Sequence, residues 1–256
     1  MATVVIIPGS FAKPSLYEHL VQSLARDGIQ SEIVDLPSVG RKEGKAPATL
    51  SDDVDEIASV VEKILDEDKE VILLAHSYGG IPATQSLETL SQKARQSQGK
   101  KSGVTKIVYL AAVALPVGGS VLALLTAPDY LIIEASSPFF HNEDDYMTLT
   151  PECAPFIYSE SPPEEALKLA RELPQHSTAS YRDQLTYAGY KDAEVHYIIC
   201  EQDKLVFPEY QFGMLELLKG MTNGKVGVHK IQSGHAPHLS QPDNLTKIIR
   251  QIVEEK

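Results

Sequence analysis

The chain has 256 residues, 43% of them apolar and 23% charged, with a formal net charge of −12. That length suits one large α/β domain, and the acidic balance, with no basic block, excludes a phosphate-backbone or anionic-membrane partner. No apolar run approaches the ~18–20 residues of a spanning helix, and two cysteines cannot build a disulfide framework.

In chain order, Ala2–Ile7, Ser31–Leu36, Glu70–Ala75 and Lys106–Ala112 read as strands, with amphipathic stretches between them. This alternation predicts βαβ units and a parallel sheet. Ser15 followed by Glu18 predicts a capping box for a first helix over residues 15–27, with Gly28 as its stop. Val54, Ile57, Val61, Ile64 and Leu65 share one face of a second helix, after the acidic turn Ser51–Asp53. Gln92–Gly103 lacks an apolar period and reads as a helix end or loop. From 116 to 189 the rhythm stops, and short helical pieces such as Glu164–Leu173 are predicted. It resumes with the strand Val195–Cys200, the helix Glu209–Leu218, the strand Lys225–Ile231 and the helix Pro242–Val253. The division is a core of residues 1–115 and 190–256 with an inserted cap over 116–189.

The segment Val71 to Gly80 carries the chemistry: a strand, the turn His76-Ser77-Tyr78-Gly79-Gly80, then a helix. A nucleophile elbow needs small residues around its serine, because strand and helix approach closely there; Ala75, Gly79 and Gly80 supply them. A serine hydroxyl needs a base, and the base an orienting acid, in the chain order Ser, Asp, His. Asp203 follows the strand Val195–Cys200, and His235 follows the strand that ends at Ile231. Ser77, Asp203 and His235 thus converge on the carboxyl edge of the sheet, where open parallel sheets gather their ligands. Each residue alone is an ordinary turn former, cap or surface group; their order and placement together make the case. Glu201 is the fallback acid, and His76, His229 and His238 are competing histidines, while His196 is assigned to a sheet face. The backbone N–H groups of Ser10, after Pro8-Gly9, and of Tyr78 are the candidate oxyanion donors.

These motifs resemble the α/β-hydrolase superfamily, and within it the subgroup of plant methylesterases, hydroxynitrile lyases and related fungal and bacterial hydrolases. The resemblance rests on Pro8-Gly9-Ser10, His76 to Gly80, Ile199 to Lys204, and Ser233-Gly234-His235 leading to Gln241-Pro242. It implies a mostly parallel sheet flanked by helices, a helical cap inserted after the sixth strand, no metal or other cofactor, and Ser77, Asp203 and His235 as triad. Two departures stand out: Pro8-Gly9 replaces the usual His-Gly, and Ala236 stands where the lyases carry a lysine. Members of the subgroup are often dimers, so the resemblance allows a homodimer, although no apolar stripe in the sequence argues for one.

Nine of the 17 Phe and Tyr residues fall between positions 128 and 190, and that stretch holds −8 of the net charge. An aromatic, acidic cap suits a neutral substrate. Gly9, Phe11, His76, Tyr130, Phe139, Phe140 and Tyr158 are the candidate substrate contacts. The expected activity is hydrolysis of a small neutral carboxylic ester or lactone by a cytoplasmic, cofactor-independent serine hydrolase. A ligand receptor with slow turnover, and a lyase or carbon–carbon bond hydrolase, are the alternatives compatible with the same triad.

Overall fold

Strand β1 (Thr3–Ile7) is buried along its whole length, because its side chains alternate between two helical layers. Val4 and Ile6 pack in one layer with Leu20, Leu24, Leu245 and Ile249. Val5 and Ile7 pack in the other with Ile57, Val61, Leu87 and Leu218. At about 1.5–3 kcal/mol for each fully buried aliphatic side chain, this two-sided burial fixes the strand register. A one-residue slip would exchange the two sets.

The computed structural model describes residues 2–126 and 139–255. After β1 come α1 (Glu18–Arg26), β2 (Ser31–Ile33), α2 (Leu50–Leu65), β3 (Val71–His76), α3 (Gly80–Leu90), α4 (Gln92–Ser97) and β4 (Val104–Leu110). The segment between residues 116 and 189 contains α5 (Val121–Thr126), β5 (Phe140–Glu143), β6 (Tyr146–Leu149), α6 (Ala154–Ile157), α7 (Pro163–Arg171), β7 (His176–Ser177) and α8 (Thr178–Arg182). The chain closes with β8 (Glu194–Cys200), α9 (Pro208–Met221), β9 (Val226–Ile231), α10 (Pro237–Ser240) and α11 (Pro242–Glu254). The main sheet is parallel throughout, in the order β2-β1-β3-β4-β8-β9. The intervening segment leaves after β4, the fourth strand of this chain rather than the sixth. Among the described residues no helix is long and apolar enough to cross a membrane.

Three further expectations are corrected. The Ser15/Glu18 capping box does not form: Pro14 opens a 3₁₀ turn over Pro14–Tyr17, and α1 begins only at Glu18. The cap that does form is on α2, where Thr49 and Asp52 bond reciprocally. Gln92–Ser97 is a helix, started by the Ser91 hydroxyl accepting from Ala94 N–H and tied down by Arg95, which donates to Ser102 O and to Asp66. The segment 116–189 also holds an unpredicted antiparallel sheet, β5-β6-β7. Its hairpin turns through Asp144 and Asp145, both at positive φ (50° and 61°), the geometry a tight two-residue turn demands.

Candidate active site

At the end of β3 the chain turns sharply. Ser77 sits at φ 52°, a left-handed conformation that costs a non-glycine residue about 1–2 kcal/mol. A 3₁₀ turn over Ser77–Gly79 then runs into α3. Only glycine fits behind the serine: a Cβ on Gly79 would lie 2.5 Å from Ile7 O and 2.6 Å from Pro8 O, and one on Gly80 would lie 2.2 Å from Val113 O. The corner is pinned from the neighbouring strand end by Val113 N–H, which donates to Ser77 O at 2.9 Å. The sequence therefore builds a strained, backbone-packed turn that leaves Ser77 only partly buried.

Asp203 and His235 leave the ends of β8 and β9 and meet at 2.7 Å, Nδ1 to Oδ2, with exposures of only 2% and 3%. The other carboxylate oxygen accepts the N–H groups of Leu205 (2.8 Å) and Val206 (2.9 Å). Gln211 Nε2–H reaches Oδ2 at 3.3 Å. A carboxylate so held accepts the Nδ1 proton of His235 and leaves Nε2 with its lone pair free. Ser77 and His235 line one pocket. Glu201, the fallback acid, turns away to Lys230 and Gln232.

Ser10 and Tyr78, the expected oxyanion donors, line that pocket too. Gly9 lies so close that a Cβ there would be 3.0 Å from Ser77 Cβ. Phe11, at φ 59°, completes the turn. The Tyr78 ring points back into the core, where its hydroxyl donates to Asp53 Oδ2 at 2.7 Å. Asp53 is fully buried and also accepts Ser38 N–H at 2.9 Å. Burial raises its pKa to about 6, against the lowering effect of the Tyr78 and Ser38 hydrogen bonds. Tyr181 stacks on Tyr78 at 5.4 Å and shares a short hydrogen bond with the Ser10 hydroxyl.

His76, expected to contact substrate, has both nitrogens engaged. Gly9 N–H donates to the Tyr17 hydroxyl at 2.9 Å, so the phenolic proton goes to His76 Nδ1 at 2.7 Å. The imidazole then carries its proton on Nε2 and donates to His235 O at 2.9 Å. Burial, with His235 and His238 nearby, holds its pKa well below the usual histidine range. This neutral relay ties the turn after β1, the elbow and the His235 loop together. His76 also lines the pocket, but its hydrogen-bonding capacity is spent on the frame.

The space in and around the pocket, counted with the open solvent at its mouth, is about 890 Å³. Of the expected substrate contacts, Gly9, Phe11, His76, Phe140 and Tyr158 line it. Phe139 does not: it packs against Phe156 at 5.3 Å. Tyr130 lies outside the described residues. The walls are mainly aliphatic, with Leu124, Leu125, Leu149, Ile157, Leu173 and Val206, and no Lys, Arg, Asp or Glu is among the described residues lining the space. His238, a competing histidine in the sequence, lines the pocket stacked on Tyr17 at 4.1 Å; Tyr17, Asp53 and Tyr181 are not singled out by the sequence as site residues. Asp53 alone had a visible signal, since it shares with Ile57 and Val61 the i, i+4 spacing of the buried face of α2.

A second titratable cluster joins Glu194, His196 and Glu255, whose ligand atoms lie within 4.8 Å of one another. Its demands are met internally. His196 pairs with Glu194 (2.9 Å) and His229 (3.1 Å), and the Lys106 ammonium sits 3.6 Å from Glu194.

A model of the alpha/beta hydrolase family matches residues 4–248. The chain belongs to that family and is a hydrolase of it. It is 34% identical over 250 residues to "Probable hydrolase R7" of Phoma sp. (strain ATCC 20986 / MF5453), covering 97% of each chain. Polyneuridine aldehyde esterase has a similar fold (TM-score 0.76, 21% identity, 99% of this chain and 100% of that one). So does the methylesterase protein MES16 from Arabidopsis (TM-score 0.71, 20% identity, 99% of each chain).

Proposed function

We propose that the protein hydrolyses a small neutral carboxylic ester or lactone through an acyl-enzyme on Ser77. The observation that carries this reading is that His235, hydrogen-bonded to the buried Asp203, lines one pocket with a serine held at positive φ on a glycine-backed corner. Ser77 Oγ attacks the carbonyl carbon while His235 Nε2 takes its proton, and Asp203 stabilises the imidazolium that forms. The N–H groups of Ser10 and Tyr78 receive the developing oxyanion. His235 returns the proton to the leaving alkoxide. Water, deprotonated by the same nitrogen, then releases the carboxylic acid. The segment 116–189 is assigned the role of lid, since it supplies Val121, Leu124, Leu125, Phe140, Leu149, Ile157, Tyr158, Leu173 and Tyr181 to the pocket.

Substrate character follows from the walls. The described residues of the lining carry no Lys, Arg, Asp or Glu side chain, which disfavours an anionic substrate, because no charged partner among them replaces the hydration it would lose. Two buried polar atoms of pocket-lining residues, Tyr158 Oη and His238 Nδ1, have no hydrogen-bond partner among the described residues. Leaving such an atom unpaired costs about 1–3 kcal/mol, which favours a substrate bearing an oxygen function beyond the ester itself. A panel of neutral alkyl and aryl esters and lactones, with and without hydroxyl or keto substituents, tests the reading. Turnover by the wild type that is abolished in Ser77→Ala, with oxygenated members preferred, is expected; equal turnover by both proteins would refute it.

A further inference from the structure

Glu160 lies in the stretch between α6 and α7, far in sequence from β9, yet its carboxylate is spent entirely on the chain that carries His235. Oε2 accepts Gly234 N–H, Ser233 Oγ–H and Ser240 Oγ–H, each at 2.8 Å. Oε1 accepts Gln241 Nε2–H at 2.5 Å. Two of these donors immediately precede His235 and two follow it within six residues, so one carboxylate holds both arms of the loop. Gly234 fits the same contact: a Cβ there would lie 2.4 Å from Ser159 Oγ. Burial opposes the charge, but the bonds from Gln241, Ser240, Gly234 and Ser233 outweigh it and hold the carboxyl below the usual carboxylate range. Hydrogen bonds to a charged acceptor are the strong ones.

We propose that Glu160 is a positioning residue for His235: it clamps both arms of the 233–241 loop to the stretch between α6 and α7, and so fixes the backbone that carries the base. This rests on the reading of His235 as the base of Ser77. Asp203 fixes the Nδ1 side of the ring and His76 holds the His235 carbonyl; Glu160 fixes the backbone just before it. General-base catalysis is sensitive to sub-ångström placement, and a displacement of about 1 Å can cost on the order of 100-fold. Releasing this third restraint therefore lowers reactivity without touching substrate.

The test compares wild type with Glu160→Ala, Glu160→Gln and Ser233→Ala, well below each protein's melting temperature. The readouts are the second-order rate of Ser77 labelling by a small fluorophosphonate, and kcat and KM for the best ester. Glu160→Ala is expected to slow labelling and kcat at least about tenfold, with KM within about twofold. Glu160→Gln should fall between, because its amide meets the Gln241 amide with the wrong polarity. Should Glu160→Ala fail to fold, Glu160→Gln and Ser233→Ala decide the matter. Labelling and kcat within about twofold of wild type in the folded variants, whatever the fall in melting temperature, would make Glu160 a purely structural tie and overturn the proposal. Wild type that takes no label would instead overturn the acyl-enzyme reading, and the positioning role with it.

Discussion

Asp203→Asn is expected to lower ester hydrolysis by about 10⁴-fold while leaving the fold intact. The geometry forces the result. Oδ1 of residue 203 must stay an acceptor, because the N–H groups of Leu205 and Val206 both point at it. The new amide nitrogen therefore takes the other position, facing His235 Nδ1, and donates where the carboxylate accepted. His235 is driven into the tautomer that carries its proton on Nε2, and a protonated Nε2 cannot take the proton of Ser77. Glu201 cannot substitute, being paired with Lys230 and Gln232 on the outside of the loop. Turnover measured beside a near-UV circular dichroism spectrum checks this. A native spectrum with activity within tenfold of wild type would contradict it.

Gly80→Ala is expected to disable the elbow and to destabilise the protein by about 3 kcal/mol or more, the upper end for overpacking. The added methyl would meet Val113 O at 2.2 Å. That carbonyl belongs to the residue whose N–H fixes Ser77 O. It can retreat only by loosening the bond that holds Ser77 in place, so stability and activity are expected to fall together. Gly220→Ala is the contrasting change: it lies in α9 with nothing within 4 Å of the new methyl, and replacing a helical glycine gains up to about 1 kcal/mol. Denaturant midpoints for the two variants, with turnover alongside, test the pair. A Gly80→Ala protein as stable and active as wild type would show that the corner is not packed as described.

The parallel frame was legible because two-sided burial leaves continuous apolar runs such as Val71 to Ala75, and those runs alternate with 3.6-period stretches. The elbow was legible because close backbone packing restricts Gly79 and Gly80 to the smallest side chain. What escaped depends on partners distant in sequence. Asp53 read as a residue of an acidic first turn, yet it bonds to Tyr78 across the core. Tyr17 read as part of a helix, yet it sets the tautomer of His76. Glu160 was one acidic residue among eleven between 116 and 190, and only the tertiary fold brings it against Gly234. The hairpin through Asp144 and Asp145 was hidden because its signal is two positive-φ residues that composition presents simply as charge.

The central claim is that Ser77 is an activated nucleophile. Intact mass after incubation with a serine-reactive fluorophosphonate tests it most directly, comparing the wild type with Ser77→Ala and His235→Ala. A single stoichiometric adduct on the wild type alone, mapped to Ser77, is the predicted result. A folded wild-type protein that takes no adduct, or a Ser77→Ala variant that takes one equally well, would contradict it.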